Sequence, residues 1–144
     1  PMPYRYLDDI ATADAAFEAK GATIEEMFTA AADATMNVMV EDLQSIQART
    51  TKRFDLEADD WEMLLFALLQ ELIYFKDAER LLLRVLNVKM GADGSRARLV
   101  AETAGEEIDA SRHALIVDVK AVTLHKYRVE QTHEGWEATV ILDI

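Results

Sequence analysis

A chain of 144 residues with 51% hydrophobic side chains can bury a core of its own, which excludes wholesale disorder and fits one domain over residues 1–144. Its 15 basic and 27 acidic residues leave a formal charge of −12, a field that repels phosphate backbones and argues against direct binding of RNA or DNA. Zero cysteines remove disulfides and thiolate metal sites, no apolar run approaches the roughly 20 residues of a membrane helix, and the opening Pro1-Met2-Pro3-Tyr4 lacks the flank and core of a secretory signal, so the expected location is cytoplasmic.

From Asp14 to Lys20, Ala15, Phe17 and Ala19 alternate with Ala16, Glu18 and Lys20, the period of a half-buried strand that Gly21 ends. Thr23-Ile24-Glu25-Glu26 then has the spacing of a capping box, with the Thr23 hydroxyl taking a free amide and Glu26 reaching back. Ile24, Met27, Phe28, Ala31, Ala34 and Val38 continue at helical spacing, which predicts a helix of about four turns. After Glu41-Asp42 the period returns to two. Ile46, Ala48, Thr50, Lys52, Phe54 and Leu56 predict one long strand with a wet opposite face.

Asp59-Asp60-Trp61-Glu62 repeats the chemistry of a helix start, with acids at the positive end of the dipole. Leu64, Leu65, Leu68, Leu69, Leu72 and Ile73 form a broad apolar stripe, so this is the most buried helix expected, ending near Lys76-Asp77. The remainder reads as β. Leu81 to Met90 and Arg96 to Glu102 flank Gly91-Ala92-Asp93-Gly94 as a hairpin, Leu115 to Gln131 is a Val- and Thr-rich strand, and Trp136 to Ile144 returns after a turn at Glu134-Gly135. Trp136, Ala138, Val140 and Leu142 share one face of that last strand. The order predicts an α+β domain, two main helices packed on a largely antiparallel β-sheet.

Catalysis by the chain alone finds little support. There is no Gly-x-Ser-x-Gly elbow, the serines Ser45, Ser95 and Ser111 and the histidines His113, His125 and His133 form no sequence motif, and neither phosphate-loop pattern occurs among the five glycines. Carboxylates are the plentiful resource. Asp14 opens the first predicted strand and Asp143 lies near the end of the last, one residue before Ile144 and its main-chain carboxylate. Brought together, these oxygens would suit Ca²⁺, Mg²⁺ or Mn²⁺; as residues alone, Asp14 and Asp143 read more simply as exposed strand-end acids. Lys120, in Asp118-Val119-Lys120-Ala121-Val122-Thr123, reads as a water-facing edge lysine, or as a group that holds a phosphate or pairs with a buried acid.

Taken together these segments resemble the archease family over nearly the whole chain. The resemblance is carried by Tyr4-Arg5-Tyr6-Leu7-Asp8 with Thr12-Ala13-Asp14 and Gly21, by Thr23-Ile24-Glu25-Glu26-Met27-Phe28, and by Asp60-Trp61-Glu62-Met63-Leu64-Leu65-Phe66 with Glu71-Leu72-Ile73-Tyr74. Gly105-Glu106-Glu107, His113, Val119-Lys120-Ala121-Val122-Thr123-Leu124-His125 and the closing Val140-Ile141-Leu142-Asp143-Ile144 complete it. The family assists RtcB-type RNA ligases in tRNA splicing and RNA repair, promoting guanylylation of the ligase's active-site histidine and its multiple turnover. The resemblance therefore implies a protein cofactor rather than an enzyme in isolation, with an RtcB-type RNA ligase as partner. It implies a divalent cation, Ca²⁺ first and Mg²⁺ or Mn²⁺ as alternatives, at Asp14, Asp143 and the carboxylate of Ile144, and a role in partner activation for Lys120. One departure stands out: Ala11 occupies the place of the family's histidine before Thr-Ala-Asp, with Asp8 and Asp9 as candidate substitutes. A chaperone-like interaction module is the competing reading and a stand-alone metal-dependent hydrolase the third.

Overall fold

The computed structural model describes residues 3–7 and 14–144. Among the described residues, seven strands and two α-helices follow one another as β1 (Tyr4–Leu7), β2 (Asp14–Gly21), α1 (Ile24–Met39), β3 (Thr50–Ala58), α2 (Trp61–Glu79), β4 (Leu81–Asp93), β5 (Arg96–Glu107), β6 (Ala121–Thr132) and β7 (Gly135–Asp143). The α+β expectation holds, and every described strand pairing is antiparallel. The strands form two sheets rather than one, in the orders β1-β2-β7-β6 and β3-β5-β4. Both helices bridge them, α1 resting on β2 and β4, and α2 on β3, β4 and β6.

Local chemistry sets the helix ends. The Glu26 amide donates to the Thr23 hydroxyl at 3.1 Å, while the Glu26 carboxylate reaches back to the amide of Ala22 at 2.9 Å, one residue before the cap itself. At the start of α2 the Asp60 carboxylate takes the Met63 amide at 2.9 Å. This helix runs past the expected stop at Lys76-Asp77 and closes at Arg80, whose left-handed backbone (φ 55°, ψ 36°) lets its amide bond the Phe75 carbonyl. Leu64, Leu65, Leu68, Leu69 and Leu72 are all at most 1% exposed, each contributing roughly 1.5–3 kcal/mol by its burial. They meet Met27, Phe28 and Met36 of α1 in one core with Phe17, Val140 and Leu142 of the first sheet.

Besides the end of α2, four boundaries differ from the sequence-based expectation. The strand expected from Ile46 begins only at Thr50. Before it, Asp42 caps a short 3-10 turn at Leu43–Ser45, the Gln47 amide is taken by the Glu106 carboxylate at 2.7 Å and the Arg49 amide by the Gly105 carbonyl at 2.9 Å, so no ladder starts there. The β4–β5 strands run on through Gly91 and Ala92, leaving Gly94-Ser95 as the turn, with Gly94 at φ 65°. The last turn falls one residue earlier than expected, at His133-Glu134, so that Gly135 already belongs to β7.

The fourth difference concerns Leu115 to Gln131. Regular pairing begins only at Ala121, because Leu115 bridges Val40 and the Ile116 amide bonds the Met39 carbonyl at the end of α1. A bulge then breaks the β6–β7 register between Thr123 and Arg128, with Lys126 at φ 53°. Alternation therefore does not carry from Thr123 to the exposed His125.

Candidate metal and partner site

The alternation of β2 and β7 fixes what stands at their shared end. Phe17 and Ala19 face the core from β2, as do Ala138, Val140 and Leu142 from β7, each at most 1% exposed. A slip of one residue would put the acids of both strands inside, so the apolar face specifies the register. In that register Asp14 pairs with Asp143, and Ala121 of β6 pairs with Asp143 from the other side. Cross-strand partners of this kind hold their Cβ atoms about 4.5–5.5 Å apart. Both aspartates are half-buried, and so is Ile144, which packs against the core. The structure thus brings Asp14, Asp143 and Ile144 to one end of the first sheet.

Neither carboxylate has a hydrogen-bond or ion-pair partner among the described residues. Two like charges placed directly opposite on neighbouring strands destabilise a sheet, and a hard divalent cation between them would reverse that sign. The donor chemistry fits such an ion: two carboxylates, all oxygen, with no nitrogen or sulfur ligand. No group of three or more His, Cys, Asp or Glu side chains among the described residues could hold a metal. Ile144, next to Asp143, would add a main-chain oxygen to the two carboxylates. Asp8, Asp9 and Ala11, where the family histidine is replaced, lie outside the described residues.

Lys120 sits beside this pair through its backbone, its amide donating to the Asp143 carbonyl at 2.8 Å. Its side chain is exposed, with no partner among the described residues. The approach to Lys120 is held by another lysine, one that stands in the sequence at the expected end of α2. Lys76 is 5% exposed, and its ammonium bonds the Asp118 carboxylate at 2.6 Å, the Val119 carbonyl at 2.7 Å and Asp77. The signal was its place four residues after Leu72, on the buried stripe.

A second polar centre lies at Glu106, to which the sequence assigns no role beyond its place in the family resemblance. This carboxylate, 3% exposed on β5, takes the Gln47 amide at 2.7 Å, the Arg49 guanidinium at 3.2 Å, the Arg112 guanidinium, and Nε2 of His113 at 3.0 Å. His113 Nδ1 accepts the Asp109 amide at 2.9 Å, so Nε2 carries the proton donated to Glu106. Chiefly through Arg112, then the Gln47 amide and His113, the carboxyl is drawn from 4.5 down to about 2. An open cleft of about 830 Å³ adjoins it, lined in part by Arg49, Lys52, Glu79 and Arg112. Each of those cations is matched by an acid, Lys52 by Glu79 at 3.4 Å and both arginines by Glu106. Glu106 therefore acts as a clasp joining the chain before β3 to the turn after β5. His113 is a satisfied structural histidine.

Comparison with known proteins agrees with this architecture. The model of the archease protein family matches residues 4–144. Proteins named archease from Methanosarcina barkeri and Archaeoglobus fulgidus are each 34% identical to the chain, over 98% and 99% of it and over 95% and 100% of their own lengths. The solution structure of Methanobacterium thermoautotrophicum protein 1598 superposes with a TM-score of 0.85 at 32% identity, covering all of both chains. A crystal structure of a Thermotoga maritima archease, described as a possible chaperone, has a TM-score of 0.56 at 18% identity over 96% of this chain and 97% of that one, a likeness of fold alone. No described helix is long and apolar enough to cross a membrane.

Proposed function

Because this chain belongs to the archease family, we propose that it is a metal-binding protein cofactor that activates an RtcB-type RNA ligase, promoting guanylylation of the ligase and its multiple turnover. The observation that carries the reading is the pairing of Asp14 with Asp143 across β2 and β7, with Ile144 next in line. These residues are the proposed ligands, through two side-chain carboxylates and the main-chain carboxylate of Ile144. Ca²⁺ is the first candidate, with Mg²⁺ and Mn²⁺ as alternatives, since all three take oxygen donors. A divalent ion there would offset negative charge on a nucleoside triphosphate and its departing pyrophosphate. The chain's own part is to hold the two carboxylates at the end of the sheet and to carry Lys120, tied by its amide to the Asp143 carbonyl, with its exposed ammonium free to reach a phosphate oxygen. Its charge of −12 would draw it to the basic face of an RNA-binding enzyme, not to RNA.

The test is guanylylation of the ligase with wild-type and Asp143→Ala protein. Stimulation should be lost in the variant, and undiminished stimulation would sink the metal role. Extending the chain by one residue after Ile144 is the sharper probe, because it displaces the main-chain carboxylate and leaves every side chain in place. The Thermotoga maritima relative is described as a possible chaperone, which favours a second reading as a general interaction module. That reading requires the partner's response to be indifferent to Asp14 and Asp143.

A further inference from the structure

Between β5 and β6 the segment Ala114–Val119 leaves both sheets and is tied down by its main chain. The Ala114 carbonyl accepts from the Glu41 amide at 2.9 Å, the Ile116 amide donates to the Met39 carbonyl at 2.8 Å, and the Val119 carbonyl takes the buried Lys76 ammonium at 2.7 Å. With its backbone so occupied, this strap turns three consecutive apolar side chains outward: Leu115 is 47% exposed, Ile116 56% and Val117 41%. They border an apolar recess of about 230 Å³ floored by Met39, Leu82 and Ile108. The main-chain ties would hold the strap equally well with polar side chains there. Other large apolar side chains are exposed, Tyr74, Leu86 and Leu124 among them, but only here, within the described residues, are three consecutive in the chain, and a contiguous apolar patch on a highly charged surface is the mark of an interaction site.

The rim gives the partner's chemistry. Glu41, Asp42, Asp77 and Asp118 are all exposed beside the strap, and Asp77 and Asp118 share the single ammonium of Lys76. The surplus charge is negative. A second copy docked about a two-fold axis would set this acidic rim against itself, and nucleic acid would be repelled outright. A protein surface with an apolar centre ringed by lysine and arginine fits, and an enzyme that binds RNA carries such basic ground around its cleft.

We propose that the Leu115–Val117 strap is the docking face for the partner ligase, seated on an apolar patch ringed by basic side chains. This rests on the ligase reading above. The strap leads directly into Lys120, whose amide is bonded to the Asp143 carbonyl, so docking there presents the Asp14–Asp143 end to the ligase in a fixed orientation.

The test titrates the RtcB-type ligase of the same organism with wild type, with the double variant Ile116→Ser/Val117→Ser, and with Glu41→Lys, measuring Kd by calorimetry and guanylylation against concentration. The double variant should raise Kd roughly tenfold or more, as loss of a central apolar anchor does, yet reach the wild-type guanylylation rate at saturation. Glu41→Lys should weaken binding at low salt, with the difference shrinking at about 0.5 M salt, where surface charges are screened. Wild-type Kd in both variants overturns the docking face. So does a wild-type dimer in sedimentation that the double variant dissolves, since the strap would then be an interface between copies. A wild-type protein that fails to stimulate the ligase at all strikes the functional reading itself. Unchanged thermal melts in the variants exclude unfolding as the cause.

Discussion

Asp14 and Asp143 stand directly opposite each other in the β2–β7 pairing, a placement that costs stability as two bare carboxylates and would contribute it with the proposed cation between them. Opposite signs with and without metal follow. With chelator present, Asp143→Asn should match or exceed the wild-type melting temperature, since opposed like charges cost on the order of 0.2–1 kcal/mol. If the proposed ligands hold Ca²⁺, linkage at about a hundred times its Kd would add about 2.7 kcal/mol to the wild type alone. In a domain of this size that raises its melting temperature by about 5–10 °C. Differential scanning fluorimetry across chelator, Ca²⁺, Mg²⁺ and Mn²⁺ reads both effects. A wild-type melt that no divalent ion moves would refute the ligand set.

Two glycines on neighbouring strands should respond oppositely to alanine. Gly105 sits where β5 pairs with both β3 and β4, and a Cβ there would lie 1.7 Å from the Leu82 carbonyl oxygen, a backbone atom that cannot step aside. Gly105→Ala should therefore cost about 3 kcal/mol, the upper range for overpacking. A Cβ on Gly91 meets nothing within 4 Å, and Gly91→Ala should be neutral or gain up to about 1 kcal/mol by restricting the unfolded chain. Urea midpoints of the two variants decide it, and equal midpoints would contradict the close β4–β5 approach.

What the sequence disclosed and what it hid divide along the reach of the interactions. Thr23 and Glu26, Asp60 and the leucine stripe of α2 act within one or two turns, so periodicity and capping chemistry located both helices. The inward face of β7 was legible for the same reason. The misplaced starts of β3 and β6 depend on distant partners: Gln47 is held by Glu106, Ile116 by Met39, and Lys120 by Asp143. Alternation alone could not reveal that a Val- and Thr-rich stretch from Leu115 spends its first residues as a strap. The candidate site shows both limits at once. Strand chemistry put Asp14 and Asp143 each at the end of a strand, but no local pattern says that β2 and β7 are neighbours. That adjacency came as a family resemblance, and the register then set the two carboxylates face to face. The role of Glu106 is not legible locally because its donors are spread over the chain from Gln47 to His113.

The end of α2 offers a test of local strain. Arg80 holds φ 55° and ψ 36° so that its amide can close the helix on the Phe75 carbonyl. Left-handed backbone costs a residue with a Cβ roughly 1–2 kcal/mol, and glycine is the usual occupant of that position. Arg80→Gly removes the strain at the expense of extra freedom in the unfolded chain, so a net gain of about 0.5–1 kcal/mol is expected. Chemical denaturation would show a higher midpoint with an unchanged slope. A lower midpoint would mean that the arginine side chain holds contacts worth more than the strain.

The Glu106 clasp predicts a pH window. Its carboxyl lies at about 2 in the folded protein against an ordinary 4.5, held down first by Arg112 and then by the Gln47 amide and His113. A folded-state value below the unfolded one means that the unfolded chain binds the proton more readily, so stability rises with pH through that interval. The clasp contributes in full above about 4.5 and loses its contribution as pH falls toward about 2. Glu106→Gln keeps the shape, removes the charge, and turns an amide NH₂ toward groups that are themselves donors. The stability gap between wild type and Glu106→Gln should therefore be widest near neutral pH, hold steady down to about 5, and close progressively below 4.5. Other carboxylates, Asp55 and Asp109 among them, are also held below their ordinary values, Asp55 first by Arg98 and Asp109 first by Ser111. Taking the difference between the two proteins cancels their common contribution. Urea unfolding in a series of buffers from near neutral pH to about 3 measures the gap, and one that stayed constant across the series would show that Glu106 is not held ionised by its partners.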